Sequence, residues 1–327
     1  METRRPTNPA AEEILGLYFP VLDHGFVSLV DYMGSDEDVE RAARVSYGYG
    51  TRRTSETRGL IRYLRRHRHT TPSEMVELKL HCAMPIFVAR QWVRHRSASL
   101  NEVSGRYSLL PLLFYTPESQ HFQAQSATNR QGRAGTGLTG LYGDAIKRWE
   151  DVRRAAGDHY EWLVSHDVAR ELARIDLPLS TYTQWYWKID LHNLFHFLAV
   201  RADPHAQLEI RAYARVVAGM LKRVAPLSFE AWADYELGGT HLSRGELEAL
   251  RRLVRARGRD LEACDGVRMT EAELAKVGLS KREVDELLDK LTVTPAVEDF
   301  ELDPATARPA EEFARAMAEA VPRADRR

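Results

Sequence analysis

Between residues 76 and 84 apolar and polar positions alternate. Val76, Leu78, Leu80, Cys82 and Met84 are interleaved with Glu77, Lys79 and His81. A period of two predicts a strand with one buried face. Pro85 then occupies a favoured first helical position, and Ile86 to His95 read as a helix. The run from Arg96 to Tyr107 is polar and rich in Ser, Asn and Gly, so it reads as a loop. A strand, a helix and a polar loop in succession make a frequent frame for a site. Upstream, Leu60, Ile61 and Leu64 recur at helical spacing until Thr70-Thr71-Pro72 ends the pattern. Downstream, helices are expected from about Gly143 to Ser165, from the N-cap Asp167 to Ile175, and over Leu191–Val200 and Ala206–Val224. Thr181 to Ile189, rich in Thr, Tyr and Trp, fits a strand or a buried helix. Residues 118–143 are polar and glycine-rich and read as a flexible loop. They contain Gly135-x-Gly137-x-x-Gly140, the letters of a dinucleotide fingerprint. That fingerprint needs a strand before it, and the preceding residues do not suggest one.

The 327 residues suggest two domains, or one with an appendage. Residues 1–20 read as a loose lead-in and 21–239 as one folded body. After Gly238-Gly239 the composition shifts. Ser243-x-x-Glu246, Thr270-x-x-Glu273 and Ser280-x-x-Glu283 are capping-box signatures, so 240–327 reads as a small helical extension, with disorder expected beyond Pro304. A hydrophobic fraction of 44% and a charged fraction of 28% are ordinary globular values and exclude a collagen-like or wholly disordered chain. The N-terminal residues lack a signal-peptide core, and no apolar run approaches a membrane span. With only Cys82 and Cys264, a disulfide framework and a four-cysteine zinc site are excluded. A soluble, cytoplasmic protein without membrane partners is the expectation.

Charge changes the picture locally. The net charge is −1, which excludes a generally basic nucleic-acid coat. Yet residues 51–69 hold seven arginines against one acid, Glu56. They form either a solvated helix face or a nucleic-acid-binding module. His192 and His196, and His205 and Glu209, stand four apart, a spacing that suits a metal hydrolase. The zinc-protease signature is missing, however, and no metal is expected. The densest signal lies between Arg94 and Arg106, where three arginines, His95, Asn101, Glu102 and Ser104 fall within 13 residues. Guanidinium forks bind phosphate oxygens bidentately, and Glu102 suits a sugar hydroxyl or an N–H donor. A phosphorylated ligand with a polar ring or sugar fits; a surface salt-bridge loop is the plainer alternative. Gln91 and Arg94 share a helix face. Arg174 and Arg201 sit in apolar surroundings, as buried ion pairs or as ligand arms. Neither cysteine has the neighbours of an activated nucleophile.

Arg94-His95-Arg96, followed by seven residues and Ser104, resembles the signature of the flavin-dependent thymidylate synthases. The segments His67–Glu74, Pro85–Trp92, Arg174–Pro178, Tyr182–Trp187 and Asp190–Gln207 resemble further blocks of that family, from about Val21 to Tyr235. The resemblance implies an α/β fold of the α+β type, with a central sheet and helices. It implies a homotetramer that methylates dUMP to dTMP, with methylenetetrahydrofolate as the one-carbon donor, FAD as the hydride carrier and NADPH as the reductant. The implied dUMP-binding residues are Gln91, Arg94, Glu102, Ser104, Gly105, Arg106, Arg174 and Arg201. Arg201 supports ionisation at N3 and is the implied catalytic residue. The implied FAD-binding residues are Thr71, Arg94, His95, Arg96, Glu102, Asp190, His192 and His196. His69 lies at the approach of folate and NADPH. Nucleic acid is not an expected partner on this reading.

Overall fold

The structure is a computed structural model that describes residues 7–46, 57–126, 132–255, 281–292 and 300–322. Its centre is a five-stranded antiparallel sheet. The chain enters through α1 (Pro9–Glu12), β1 (Tyr18–Val21), β2 (Gly25–Met33), α2 (Asp36–Val45) and α3 (Thr57–Arg66). A 3-10 turn, Thr71–Met75, leads into β3 (Glu77–Pro85) and α4 (Ile86–Trp92). Then come β4 (Ser99–Glu102), β5 (Gln123–Gln125), β6 (Arg133–Gly137), α5 (Thr139–Ser165) and α6 (Arg170–Ala173). They are followed by β7 (Tyr182–Asp190), α7 (Leu191–Arg201), α8 (Leu208–Val224) and α9 (Pro226–Trp232). The strand order is β1-β2-β3-β7-β4, while β5 and β6 form a separate two-stranded sheet. This is the mixed α/β architecture with a central sheet that was expected, and the sheet is antiparallel.

The alternation of 76–84 is realised in β3. Leu78, Leu80 and Cys82 are fully buried and pair with Ile189, Trp187 and Trp185 of β7. Trp92 from α4 closes over this surface. Its ring stands edge-on to Trp185 and Trp187 at 5.7 and 5.2 Å and stacks on Phe197 of α7 at 4.9 Å. Edge-to-face and offset aromatic pairs contribute beyond their buried area. Thr181 to Ile189 is thus a strand, and its β-branched and aromatic residues suit the pleated surface.

Several expectations change. The Arg96–Tyr107 run is not all loop, because Ser99–Glu102 pairs with Lys188–Trp185 as an edge strand. The 118–143 region includes a hairpin, β5 with β6, and then opens α5. The helix predicted from Asp167 shrinks to Arg170–Ala173, since Asp167 has a φ of 60° and cannot begin a right-handed turn. The helix from Ile86 ends at Trp92 rather than His95. From residue 7 onward the lead-in is tied to the body. Asn8 caps α1 and its side-chain amide donates to the Val224 carbonyl at 3.1 Å, while Ala11 and Ile14 are fully buried.

The expected extension divides in two. One compact unit comprises 1–230 with 300–327, and the other 231–299. The chain from 300 returns to the first unit. Arg308 bridges to Tyr18, and Phe313 of α12 (Ala310–Glu319) packs on Tyr18 and Phe26. The Ala320 carbonyl accepts from the Leu112 amide at 2.8 Å. These contacts replace the disorder expected beyond Pro304 for the residues up to 322. In the second unit α10 (Arg244–Arg255) and α11 (Lys281–Thr292) pack through Ala249, Val284 and Leu287. The capping box at Ser243 and Glu246 forms as read. Thr270, Glu273, Ser280 and Cys264 lie outside the described residues.

The indole N–H of Trp92 has no hydrogen-bond partner among the described residues, so the ring acts through packing. Trp92→Ala is expected to cost about 3–5 kcal/mol in urea unfolding, and Trp92→Phe clearly less.

Candidate functional site

The strands deliver α4 and α7 to one face of the sheet, and the C-terminal ends of the two helices meet. Arg201, in the last turn of α7, donates from Nε to His95 Nε2 at 3.1 Å and from Nη2 to the Gln91 carbonyl at 3.1 Å. For Nε2 to accept, the His95 proton must sit on Nδ1, an assignment made from this geometry. Burial first, and then the charges of Arg201 and His196, pull the His95 pKa down to about 4. The imidazole is therefore neutral near pH 7. Burial also lowers the Arg201 pKa from its ordinary value, yet the guanidinium keeps its charge. Its Nη1 group has no partner among the described residues and is available to a ligand. Of the two open alternatives for Arg201, the ligand arm fits better than a buried ion pair. His196 is exposed, with its ring 5.7 Å from that of His95.

A second group forms where β4 runs into the following turn. The Thr183 hydroxyl donates to Glu102 at 2.6 Å. The Arg106 amide donates to the Ser104 hydroxyl at 3.3 Å, and the Arg106 side chain lies 3.3 Å from Glu171. Gly105 is buried against Arg174: a Cβ there would stand 3.0 Å from the Arg174 side chain and 3.0 Å from Leu110. A side chain there would push the Arg174 arm or Leu110 aside by a few tenths of an ångström. The guanidinium groups of Arg94, Arg96 and Arg174 have no hydrogen-bond or ion-pair partner among the described residues.

A third group lies at the start of α7. Asp190 caps the helix, accepting from the Asn193 amide at 2.9 Å and side chain at 2.7 Å. His192 Nδ1 is buried without a hydrogen-bond partner among the described residues. The 3-10 turn that carries Thr71 packs against α7. Beside it a cavity of about 780 Å³ is lined by Ala43, Tyr63, His69, Thr71 and Met75, among others.

The structure therefore brings the expected residues into three groups rather than one contact network. It joins Gln91, His95, His196 and Arg201; Glu102, Ser104, Gly105, Arg106 and Arg174 lie along one turn and its neighbour α6; Thr71 and His69 share a cavity wall near Asp190 and His192. The alternatives lose their support. Arg58 and Arg62 of α3 pair with Glu230, and Arg65 lies 4.2 Å over the Phe195 ring, so these three arginines serve the fold; Arg52 and Arg53 lie outside the described residues. His205 bonds to Asp203 at 2.9 Å, whereas Glu209 turns inward to Arg133, so that pair does not converge on a metal. Burial pushes the Cys82 thiol far above its ordinary pKa, which removes it as a nucleophile. Sequence reasoning missed Thr183, Glu171 and Gln207, whose partners are remote in sequence. Glu209 was visible only as half of a metal spacing.

Residues 28–227 match the family model described as thymidylate synthase complementing protein. A protein of Gluconobacter oxydans named flavin-dependent thymidylate synthase is 55% identical over 257 residues, 76% of this chain and 84% of that protein. Proteins of the same name from Ruegeria pomeroyi and Rickettsia conorii are 50% and 46% identical. The first alignment covers 77% of this chain and 85% of the relative, the second 84% and 98%. Among solved structures, the UMP/dUMP methylase PolB from Streptomyces cacaoi bound with 5-Br UMP superposes with a TM-score of 0.60 at 33% identity. It covers 67% of this chain and 97% of its own.

The depressed His95 pKa has a signed consequence. An unfolded histidine takes up a proton near pH 6.5, but the folded one only near 4. Stability should therefore rise with pH across that window, because the unfolded state binds more protons there. Urea unfolding at pH 7 and pH 4.5 is expected to show a larger loss in wild type than in His95→Gln.

Proposed function

The chain belongs to the family of flavin-dependent thymidylate synthases, and on that footing we propose how its residues carry out the reductive methylation of dUMP to dTMP. The observation that carries the proposal is Arg201. It is a half-buried cation anchored by a neutral histidine and a backbone carbonyl, with Nη1 free for a ligand. The pyrimidine C5 becomes nucleophilic when negative charge at N3 and O4 is stabilised. A preorganised guanidinium in a poorly hydrated place stabilises such charge. His95 and the Gln91 carbonyl fix its plane. Ser104, Gly105, Arg106 and Arg174 are suited to the phosphate, through a hydroxyl, a backbone N–H and two guanidinium forks. Glu102 suits the sugar. Gln91 and Arg94 complete the nucleotide shell.

The flavin fits the residues that remain. Unpartnered Arg94 and Arg96, the orphaned Nδ1 of His192 and the cavity beside Thr71 supply cationic and polar groups that a dinucleotide would satisfy. We assign Thr71, Arg94, His95, Arg96, Glu102, Asp190, His192 and His196 to FAD. When bound, it supplies the hydride chemistry that no side chain can. His69, on the cavity wall, faces the approach we assign to methylenetetrahydrofolate and NADPH. No helix among the described residues is long and apolar enough to cross a membrane; we place the enzyme in the cytoplasm.

We further propose a homotetramer whose sites are shared between subunits. Two features support it: one chain leaves the nucleotide residues in separate groups, and all four residues of the edge strand β4 are exposed. An exposed edge of this kind invites a covering partner.

Purified protein is expected to show a flavin spectrum and to release tritium from C5-labelled dUMP when given methylenetetrahydrofolate and NADPH. A colourless protein that FAD cannot reconstitute would overturn the reading. Arg201→Ala should lower single-turnover rates about ten- to a hundredfold with FAD retained, the range of one charge-assisted hydrogen bond. Arg106→Ala and Arg174→Ala should chiefly weaken dUMP binding in titrations of the flavin spectrum. Mixing the impaired Arg106→Ala and Arg201→Ala proteins under subunit exchange, at dUMP too dilute to saturate Arg106→Ala, should raise activity above that of either alone if those residues meet across subunits; an active monomer in sedimentation excludes sharing.

A further inference from the structure

Glu209 is only 2% exposed, in the first turn of α8, and the chemistry above makes no use of it. Its Oε1 accepts from Arg133 Nη2 at 2.5 Å and from the Tyr115 hydroxyl at 2.9 Å. Its Oε2 accepts from Gln207 Nε2 at 2.8 Å. An ionised carboxylate only accepts hydrogen bonds. It therefore dictates which way the Gln207 amide points, with the NH₂ inward and the carbonyl outward. That outward Oε1 accepts from Gln91 Nε2. Gln91 in turn offers its backbone carbonyl to Arg201 at 3.1 Å. The chain of contacts runs from a buried carboxylate to the residue that links the two sides of the nucleotide site.

We propose that Glu209 is a positioning residue: acting through Gln207, it presets the Gln91 side-chain amide for the nucleotide, while Arg133 and Tyr115 hold the carboxylate in the orientation that does so. The proposal rests on the reading of Gln91 as a dUMP-binding residue. A glutamine without this tether samples many rotamers, and ordering it on binding weakens affinity by roughly two- to twelvefold. The hairpin strand β6 gains a role here too, since its Arg133 neutralises a carboxylate that would otherwise be buried as an unpaired charge.

The test compares wild type, Gln207→Leu, Gln91→Leu, their double variant and Glu209→Gln, all loaded with FAD. Each is titrated with dUMP through the flavin spectrum, and kcat and KM are measured. Gln207→Leu is expected to raise the dUMP Kd and KM about two- to twelvefold, with little change in kcat or thermal midpoint, because Gln207 is exposed. The double variant should bind dUMP no more weakly than Gln91→Leu alone. Glu209→Gln should weaken dUMP as Gln207→Leu does; if that protein fails to fold, the surface variant carries the test. An unchanged dUMP Kd in Gln207→Leu, or losses that add in the double variant, would overturn the relay while leaving dUMP binding by wild type intact. A flavin-loaded wild type that takes no dUMP would overturn the site reading and the relay together.

Discussion

The pairing of β3 with β7 sets everything around the site. Pro85 lies opposite Tyr182 and Glu77 opposite Asp190, so the two strands are matched end to end and antiparallel. Each strand runs straight into a helix, α4 from one end of the pair and α7 from the other. Both helices fold back over the same buried face, which is why Trp92 and Phe197 meet above Trp185 and Trp187. Eight strand steps cover about 27 Å at ~3.4 Å each. Helices rising ~1.5 Å per residue return about 9 Å over α4 and about 15 Å over α7. Those lengths nearly close the gap, and the contact of Arg201 with His95 and Gln91 is where they do. A slip of one residue would turn Trp185 and Trp187 to the opposite face and uncouple the two helix ends.

Where the helices meet, electrostatics follows from position. Arg201 stands in the last turn of α7, where the helix dipole favours a cation. A second cation beside it would be repelled, and the burial of His95 keeps that ring neutral. The junction thus presents one fixed positive charge. Glu209 solves the reverse problem. Burial opposes its ionisation, but Arg133 and the amide of Gln207 outweigh that, and its pKa falls below the ordinary value. The acid at the start of α8 is held in its charged form by neighbours, whereas the guanidinium at the end of α7 keeps its charge against burial through its own basicity.

The legible parts of the sequence were those in which local pattern and tertiary role agree. The alternation of 76–84 follows from a strand with one buried face, and α7 and α8 follow from their apolar faces. The Arg94–Arg106 cluster could be read because most of its chemistry lies within one short stretch. What stayed hidden was decided at long range. Ser99–Glu102 is exposed and has no apolar period, so pairing with the edge of β7 makes it a strand. The hairpin of β5 and β6 is polar, and its Arg133 reaches across to Glu209 of α8. Residues 300–322 return because Phe313 finds Tyr18 and Phe26, which no local signal announces. Asp167 has the composition of an N-cap, yet its positive φ makes it a turn residue.

The remaining tension concerns charge. Arg94 and Arg96 leave the end of α4 only a few residues before β4, and Arg106 follows it, so one exposed edge strand is flanked by cations. For a fold alone this is a poor arrangement. Like charges repel, and an unpaired strand edge invites unwanted association. Arg106 meets Glu171, but Arg94 and Arg96 have no such partner among the described residues, whereas elsewhere Arg58 and Arg62 close on Glu230, Arg133 on Glu209, and Arg65 over Phe195. The contrast lies within one molecule and one composition. Places where local rules are broken without local compensation are where function is expected. On the reading proposed above, the compensation comes from outside the single chain, as anionic ligands for the guanidiniums and as a covering subunit for the strand.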